Sequence, residues 1–149
     1  MDWTLVERQV QAYDYDESNF KSGDVLAIFR LDGIDPLIMY GTGSTIGHCT
    51  MALWFEGELY IVEAMENVFW PKKNVQRNKF KDWLKMAQDA DYHVAHLSLT
   101  ADARKLFNES AAQNFFFRTE GLPYGFHNFL YGWIDSEQVA PIIPEGSMI

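Results

Sequence analysis

The sequence predicts an α+β domain, an antiparallel sheet packed against helices, and three patterns carry that prediction. Short apolar runs of strand length stand between turn signals. One β-hairpin is legible in full. One later stretch repeats its apolar residues at helical spacing. A sheet flanked by helices is the economical architecture for such a succession.

In chain order, residues 7–22 are polar and acidic and read as a lead-in that holds at most a short helix. Ser22-Gly23-Asp24 punctuates the chain, and Val25 to Phe29 follows as a buried strand. Asp32-Gly33 and Asp35-Pro36 are turn signals. Leu37 to Tyr40 is a second apolar piece, and Gly41-Thr42-Gly43-Ser44 reads as a loop. No Gly-Lys-Ser/Thr end follows that loop, so it is not a phosphate-cradling P-loop. His48 to Phe55 and Leu59 to Ala64 are two strands joined across Glu56-Gly57-Glu58, the clearest hairpin in the chain. Trp70 to Asn74 is a loop. From Lys79 to Ala90 the spacing of Phe80, Trp83, Leu84 and Ala87 predicts a helix, which Asp91 ends before a strand over Tyr92 to Leu99. Thr100 N-caps a helix over Ala101 to Thr119, with Asp102 in its first turn and Gly121 as its stop. Leu106, Phe107, Ala111, Asn114, Phe115 and Arg118 form its imperfect inward stripe. The tail from Gly121 to Ile149 carries three prolines and an aromatic patch from Tyr124 to Trp133. That patch reads as core. No repeat or linker divides the chain, so residues 1–149 read as one domain, with 1–21 a lead-in and 140–149 a proline-containing tail.

Composition narrows the function classes. With 149 residues, 48% of them apolar and 15% aromatic, the chain can bury a core without disulfides and cannot be intrinsically disordered. No apolar run approaches the roughly 18 residues that a spanning helix needs. Acids stand near the N-terminus where a secretory signal would be basic and then apolar, which points to a cytoplasmic protein. A net charge of −9 argues against nonspecific nucleic-acid binding, whose affinity comes from neutralising phosphates. The basic residues nevertheless cluster from Lys72 to Lys85, either as a solvated face or as a positive rim for an acidic ligand. Cys49 is the single cysteine, so the chain has no internal disulfide and no thiolate zinc cluster.

Alternation in the first hairpin strand sends His48, Thr50, Ala52 and Trp54 to one face, and Cys49, Met51, Leu53 and Phe55 to the other. His48 and Cys49 therefore diverge and cannot act as base and nucleophile; Cys49 reads as core. If the hairpin closes through a two-residue turn at Glu56-Gly57, Phe55 pairs with Glu58, Thr50 faces Glu63 and His48 faces Met65. His48 and Glu63 then share a face as diagonal neighbours, about 7–8 Å apart along the backbone and in side-chain reach. A three-residue turn would reverse the parity and separate them. A carboxylate beside an imidazole fixes its tautomer and stabilises the imidazolium, as a general base requires. The bland alternative is a polar pair on an exposed sheet face. The catalytic reading requires both groups at a shared cleft. Either of them inside the packed interior, or on the reverse side of the sheet, would end that case and leave any family likeness of these short strings a chance one. Trp54 and Trp70 are candidates to flank a hydrophobic substrate. His93 and His96 are three apart in a strand and face opposite ways, so they cannot share a metal. His127 reads as a buried, hydrogen-bonded residue of the tail. No His-Glu-x-x-His, EF-hand loop or Gly-x-Ser-x-Gly occurs.

The run Gly23-Asp24-Val25-Leu26, then Ile46-Gly47-His48-Cys49-Thr50-Met51-Ala52-Leu53, then Gly57-Glu58-Leu59-Tyr60-Ile61-Val62-Glu63-Ala64, resembles the NlpC-type papain-like hydrolases. The resemblance is narrower to their circularly permuted branch, the YiiX-like and lecithin-retinol-acyltransferase-like proteins, and covers roughly residues 22–136. Gly121-Leu122-Pro123-Tyr124-Gly125 looks like that branch's G-x-P-Y element. The resemblance implies a papain-like fold, His48 as catalytic histidine, Glu63 as its orienting residue and Tyr124 lining the site. It implies an amide- or ester-linked substrate, a cell-wall-type peptide or an acyl lipid, and no metal or organic cofactor. The family's late cysteine has no match: in Trp133-Ile134-Asp135-Ser136-Glu137, Asp135 stands at its place and Ser136 beside it. An aspartate is a weak nucleophile toward an amide. Three explanations compete: a nucleophile beyond Ile149, a domain that has lost catalysis and kept its groove, or Ser136 acting with His48. The rival class is a non-catalytic domain binding a small molecule, peptide or lipid-like ligand in a cleft edged by His48, Glu63, Trp70 and the basic stretch. The sequence leaves the oligomeric state open.

Overall fold

The computed structural model describes residues 15–31, 33–65 and 74–125. They form an α+β structure built on a five-stranded antiparallel sheet with strand order β4-β3-β2-β1-β5. The strands are β1 (Val25–Phe29), β2 (His48–Phe55), β3 (Glu58–Met65), β4 (Asn74–Lys79) and β5 (His93–Leu97). The helices are α1 (Asp35–Thr42), α2 (Phe80–Asp89), α3 (Ala101–Leu106) and α4 (Glu109–Thr119), preceded by a 3-10 turn at Glu17–Asn19. Among the described residues no helix is long and apolar enough to cross a membrane.

The hairpin closes as its sequence predicts. Glu56 and Gly57 both have positive φ, 52° and 82°, the backbone of a two-residue turn whose twist matches that of the strands. Phe55 pairs with Glu58 and Met51 with Val62, which sets the parity of every later position on both strands.

The two faces of the sheet carry different cores. On the inner face Leu26, Ile28, Ala52, Leu59, Ile61 and Met65 pack with Phe20 and with Phe80, Trp83 and Ala87 of α2. Those three helix residues stand at i, i+3 and i+7, one stripe of an amphipathic helix. On the outer face Leu53 and Phe55 pack with Phe116 of α4, and with Phe107, Ala112, Val62 and Val75 around them. Arg77 lies against four rings on that side: Phe55 at 4.9 Å, Tyr60 at 5.3 Å, Phe117 at 5.4 Å and Phe116 at 5.7 Å. A guanidinium over ring faces gains electrostatically and contributes its apolar stem as well, so α4 is held to the sheet by more than Phe116.

Four expectations change. Asp35-Pro36 starts a helix instead of a turn, because a proline in the first turn gives up an N–H that has no intrahelical partner and brings a helical φ. Leu37 to Thr42 continue that helix, and Gly43, at φ 65°, ends it. The long helix over 101–119 is two: α3 stops at Phe107, and Asn108 caps α4 by accepting from Ala111 N–H at 2.9 Å. The break resets the helical phase, so Phe107, Ala112 and Phe116 face inward, while Leu106 and Phe115 are 86% and 61% exposed. Thr100 does cap the first helix, accepting from Ala103 N–H. β4 is a strand where only a loop and a helix start were expected. Cys49 is exposed on the outer face, not core, because α4 covers the sheet at Leu53 and Phe55.

The Gly23-Asp24 pair now has a physical account. Gly23 has φ +90°, and a Cβ there would come within 2.7 Å of the Phe107 ring. Asp24 is buried and accepts from Lys21 N–H at 3.0 Å and Leu99 N–H at 3.4 Å, from Arg104, and pairs with His96 Nε2 at 2.9 Å. Burial pushes its pKa up. The two backbone donors, His96 and the Arg104 charge outweigh that and hold it below the usual carboxylate range.

Candidate functional site

His48 and Glu63 meet. Their strands carry them to the inner face, and His48 Nε2 lies 3.0 Å from Glu63 Oε2. The two residues occupy the diagonal positions that the two-residue turn dictates. The carboxylate has further support that sequence reasoning missed. Glu63 Oε1 accepts from the Trp83 indole N–H at 3.1 Å and from Asn78 Nδ2 at 3.4 Å. Trp83 comes down from α2, and Asn78 stands on β4 opposite Ile61, two residues along from Gln76, the partner of Glu63. Trp83 was visible only as a member of a helical stripe. Asn78 needed β4, whose polar string Asn-Val-Gln-Arg-Asn-Lys does not look like a buried strand.

The burial differs from the expected shared cleft. The Glu63 side chain is 0% exposed and that of His48 13%. Glu63 lies inside the packed interior, which ends the expectation that imidazole and carboxylate meet a substrate together at a shared cleft, and it equally rules out the bland exposed surface pair. Only the imidazole reaches the edge of the packed interior. With Nε2 committed to the carboxylate, Nδ1 is the nitrogen left over. Among the described residues it has no hydrogen-bond partner.

The start of the His48 strand is fixed by a second network. Asp35, at the head of α1, packs so closely on Gly47 that a Cβ there would lie 2.6 Å from the Asp35 Cβ. Asp35 receives both Nε and Nη2 of Arg30, and Arg30 Nη1 donates to the Tyr92 hydroxyl. Burial lowers the affinity of the Arg30 guanidinium for its proton, but the hydrogen bond and charge of Asp35 outweigh it and hold the group above its ordinary value.

The other candidates fare differently. Trp54 shares the inner face but stands six positions along β2 from His48, about 20 Å at the rise of a strand. Its indole N–H donates to Phe20 O at 2.9 Å, so it belongs to the core and does not flank the imidazole. Tyr124 is half-buried, two residues after Leu122, whose carbonyl accepts from Val75 N–H on β4 at 3.0 Å. Trp70, His127, Asp135 and Ser136 lie outside the described residues. Of the basic stretch, Lys72 and Lys73 also lie outside them. Arg77, Lys79 and Lys81 pair with Glu120, Glu58 and Glu17, so this part is not an unneutralised rim for an acidic ligand.

His96 is a second imidazole beside a carboxylate, and Ser98 Oγ stands 3.5 Å from it. Both contacts fall on Nε2, so the ring cannot take a proton from Ser98 with one nitrogen while Asp24 holds the other. Its stacking on Phe20, 4.3 Å between centroids, makes it a wall of the core. His93 points to the opposite face, where it lies against Phe29. No protein-family model, curated protein or solved structure matches the chain.

Proposed function

We propose that this domain is a papain-like hydrolase of the NlpC type, circularly permuted, in which His48 is the general base toward an amide- or ester-linked substrate and Glu63 positions it. The observation that supports the reading is the 3.0 Å contact between His48 Nε2 and a fully buried Glu63. That contact engages Nε2 and leaves Nδ1 as the nitrogen not held by Glu63.

In the reaction Nδ1 takes the proton of the attacking hydroxyl or thiol as its oxygen or sulfur bonds to the carbonyl carbon. Glu63 stabilises the imidazolium so formed, and Nδ1 returns the proton to the leaving nitrogen or oxygen as the acyl bond breaks. The resemblance to the permuted branch supplies the substrate classes, a cell-wall-type peptide or an acyl lipid. Ser136 and Asp135 are the residues that this resemblance sets at the nucleophile's place.

The test is labelling by an activity-based probe for nucleophilic serine or cysteine, on the wild type and on His48→Ala. Labelling that requires His48 and maps away from Cys49 supports hydrolysis. Equal labelling of both proteins overturns it.

A second reading, a binding domain without catalysis, draws on one observation. The chain's single thiol, Cys49, is exposed on the sheet face opposite His48. In that reading the imidazole hydrogen-bonds a peptide or lipid-like ligand, and the probe labels nothing in a His48-dependent way.

A further inference from the structure

Glu63 is the centre of a polar rung. Gln76 is its direct partner on β4, and the hairpin register puts Thr50 opposite it on β2. All three side chains are on the inner face and at least nine-tenths buried: Gln76 is 2% exposed, Thr50 4% and Glu63 6% over the whole residue. Glu63 uses both its oxygens. The other two are idle: among the described residues, Gln76 Nε2, Gln76 Oε1 and Thr50 Oγ1 have no hydrogen-bond partner. Buried polar groups are nearly always bonded, and an apolar residue of the same shape would be more stable than an orphaned amide. Local choices that cost stability in this way concentrate at functional sites.

What an idle carboxamide can do here follows from its neighbour. Cross-strand partners have Cβ atoms about 4.5–5.5 Å apart, so a glutamine can reach a glutamate beside it by rotating its own χ angles. Glu63 has room for a further donor: the Asn78 contact is long at 3.4 Å, and a carboxylate accepts at about four lone-pair sites. Both proton transfers run through Nδ1, so the need arises only in those excursions in which the ring, 13% exposed at the edge of the interior, swings off the carboxylate. Whenever its N–H leaves Oε2, a fully buried charge loses its strongest partner, the situation most costly in a protein interior. Thr50 has its hydroxyl on Cβ and lacks the length to follow.

We propose that Gln76 is a positioning residue, a reserve donor whose carboxamide closes onto Glu63 when His48 releases it. This rests on the general-base reading of His48, but its test does not need a reaction. The measurement is equilibrium unfolding in urea for Gln76→Met alone, and for Gln76→Met combined with His48→Ala or with His48→Gln. A reserve donor makes Gln76→Met harmless or stabilising in the wild type, where the amide is idle. In the His48→Ala background the same change lowers the folding equilibrium constant by about ten- to a hundred-fold, the value of one hydrogen bond to a charged group. In the His48→Gln background, whose own carboxamide can still donate to Glu63, it is harmless again.

A spectroscopic signature accompanies this: the Gln76 side-chain amide protons move downfield in His48→Ala and stay in place in His48→Gln. An equal effect of Gln76→Met in all three backgrounds, or amide protons that do not move, overturns the proposal. Probe labelling is not read in this experiment, so failure of the hydrolase reading and failure of the reserve donor are told apart.

Discussion

Replacing Glu63 by glutamine keeps the shape of the side chain and reverses the logic of its contact with His48. One oxygen remains to accept from Trp83 N–H and Asn78 Nδ2, as Oε1 does now. The other position becomes an NH2 group, facing His48 Nε2 across 3.0 Å. Two donors cannot share that contact, so Nε2 must become the acceptor and the ring proton moves to Nδ1. The nitrogen that should collect a proton then already carries one. The stability change is the balance of two opposed effects. A hydrogen bond to a charged group is worth about 1.5–3 kcal/mol, and its replacement by a neutral one loses roughly half of that. Relief of a fully buried charge offsets the loss, so a net change within about 1 kcal/mol is expected. The chemical effect is far larger: a wrong tautomer of this kind lowers turnover by about 10^4-fold where it has been isolated in a serine protease. Nitrogen-15 spectra of the His48 ring report the tautomer, and His48-dependent probe labelling reports the reactivity. A ring that keeps its proton on Nε2 in Glu63→Gln, with labelling at the wild-type rate, refutes the positioning role of Glu63.

Three further changes test the frame around that pair. Trp83→Phe keeps the ring in the core but removes the N–H that reaches Glu63 Oε1, and should cost about 1.5–3 kcal/mol in urea unfolding. Gly47→Ala drives a methyl against the Asp35 Cβ at 2.6 Å; overpacking of that order costs about 1–3 kcal/mol. A wild-type urea midpoint for this variant would mean that α1 is not tied to the His48 strand. Asp24→Asn removes the carboxylate that pairs Arg104 and His96, and should cost about 1.5–3 kcal/mol, since Arg104 is partly exposed and keeps its contact with Ser22 O. The acid dependence has a definite sign. The Asp24 carboxyl is held below its ordinary 3.8 in the folded chain, so its contribution is complete above that value and is lost as pH falls through the lower folded one. Urea midpoints taken down that acid range should fall more steeply for the wild type than for Asp24→Asn.

The hairpin was the most legible part of this chain, and the reason is parity. A two-residue turn admits one register, and that register alone sets His48 and Glu63 on one face. β1, α2 and the Thr100 cap were legible for similar reasons, each resting on a local pattern with a mechanism. β4 was not. Its buried positions, Gln76 and Asn78, are amides beside Glu63, so the apolar alternation that marks a half-buried strand is missing where Glu63 is surrounded by polar groups. The break between α3 and α4 hides in a string that reads as one helix, because Asn108 is tolerable inside a helix and decisive only as a cap. Cys49 and Trp54 were misread for a tertiary reason: strand alternation gives the face but not how far along it a helix lies. The depth of Glu63 was invisible for the same reason, since α2 covers it through Trp83.

The outward thiol has a practical reach. Any electrophile that hunts for sulfur will find Cys49 waiting in solvent, and adduct formation there says nothing about whether the imidazole on the reverse side performs chemistry. The same geometry makes that sulfur a convenient handle: a dye or spin label hung from it reports on the assembled sheet while leaving the His48 side untouched.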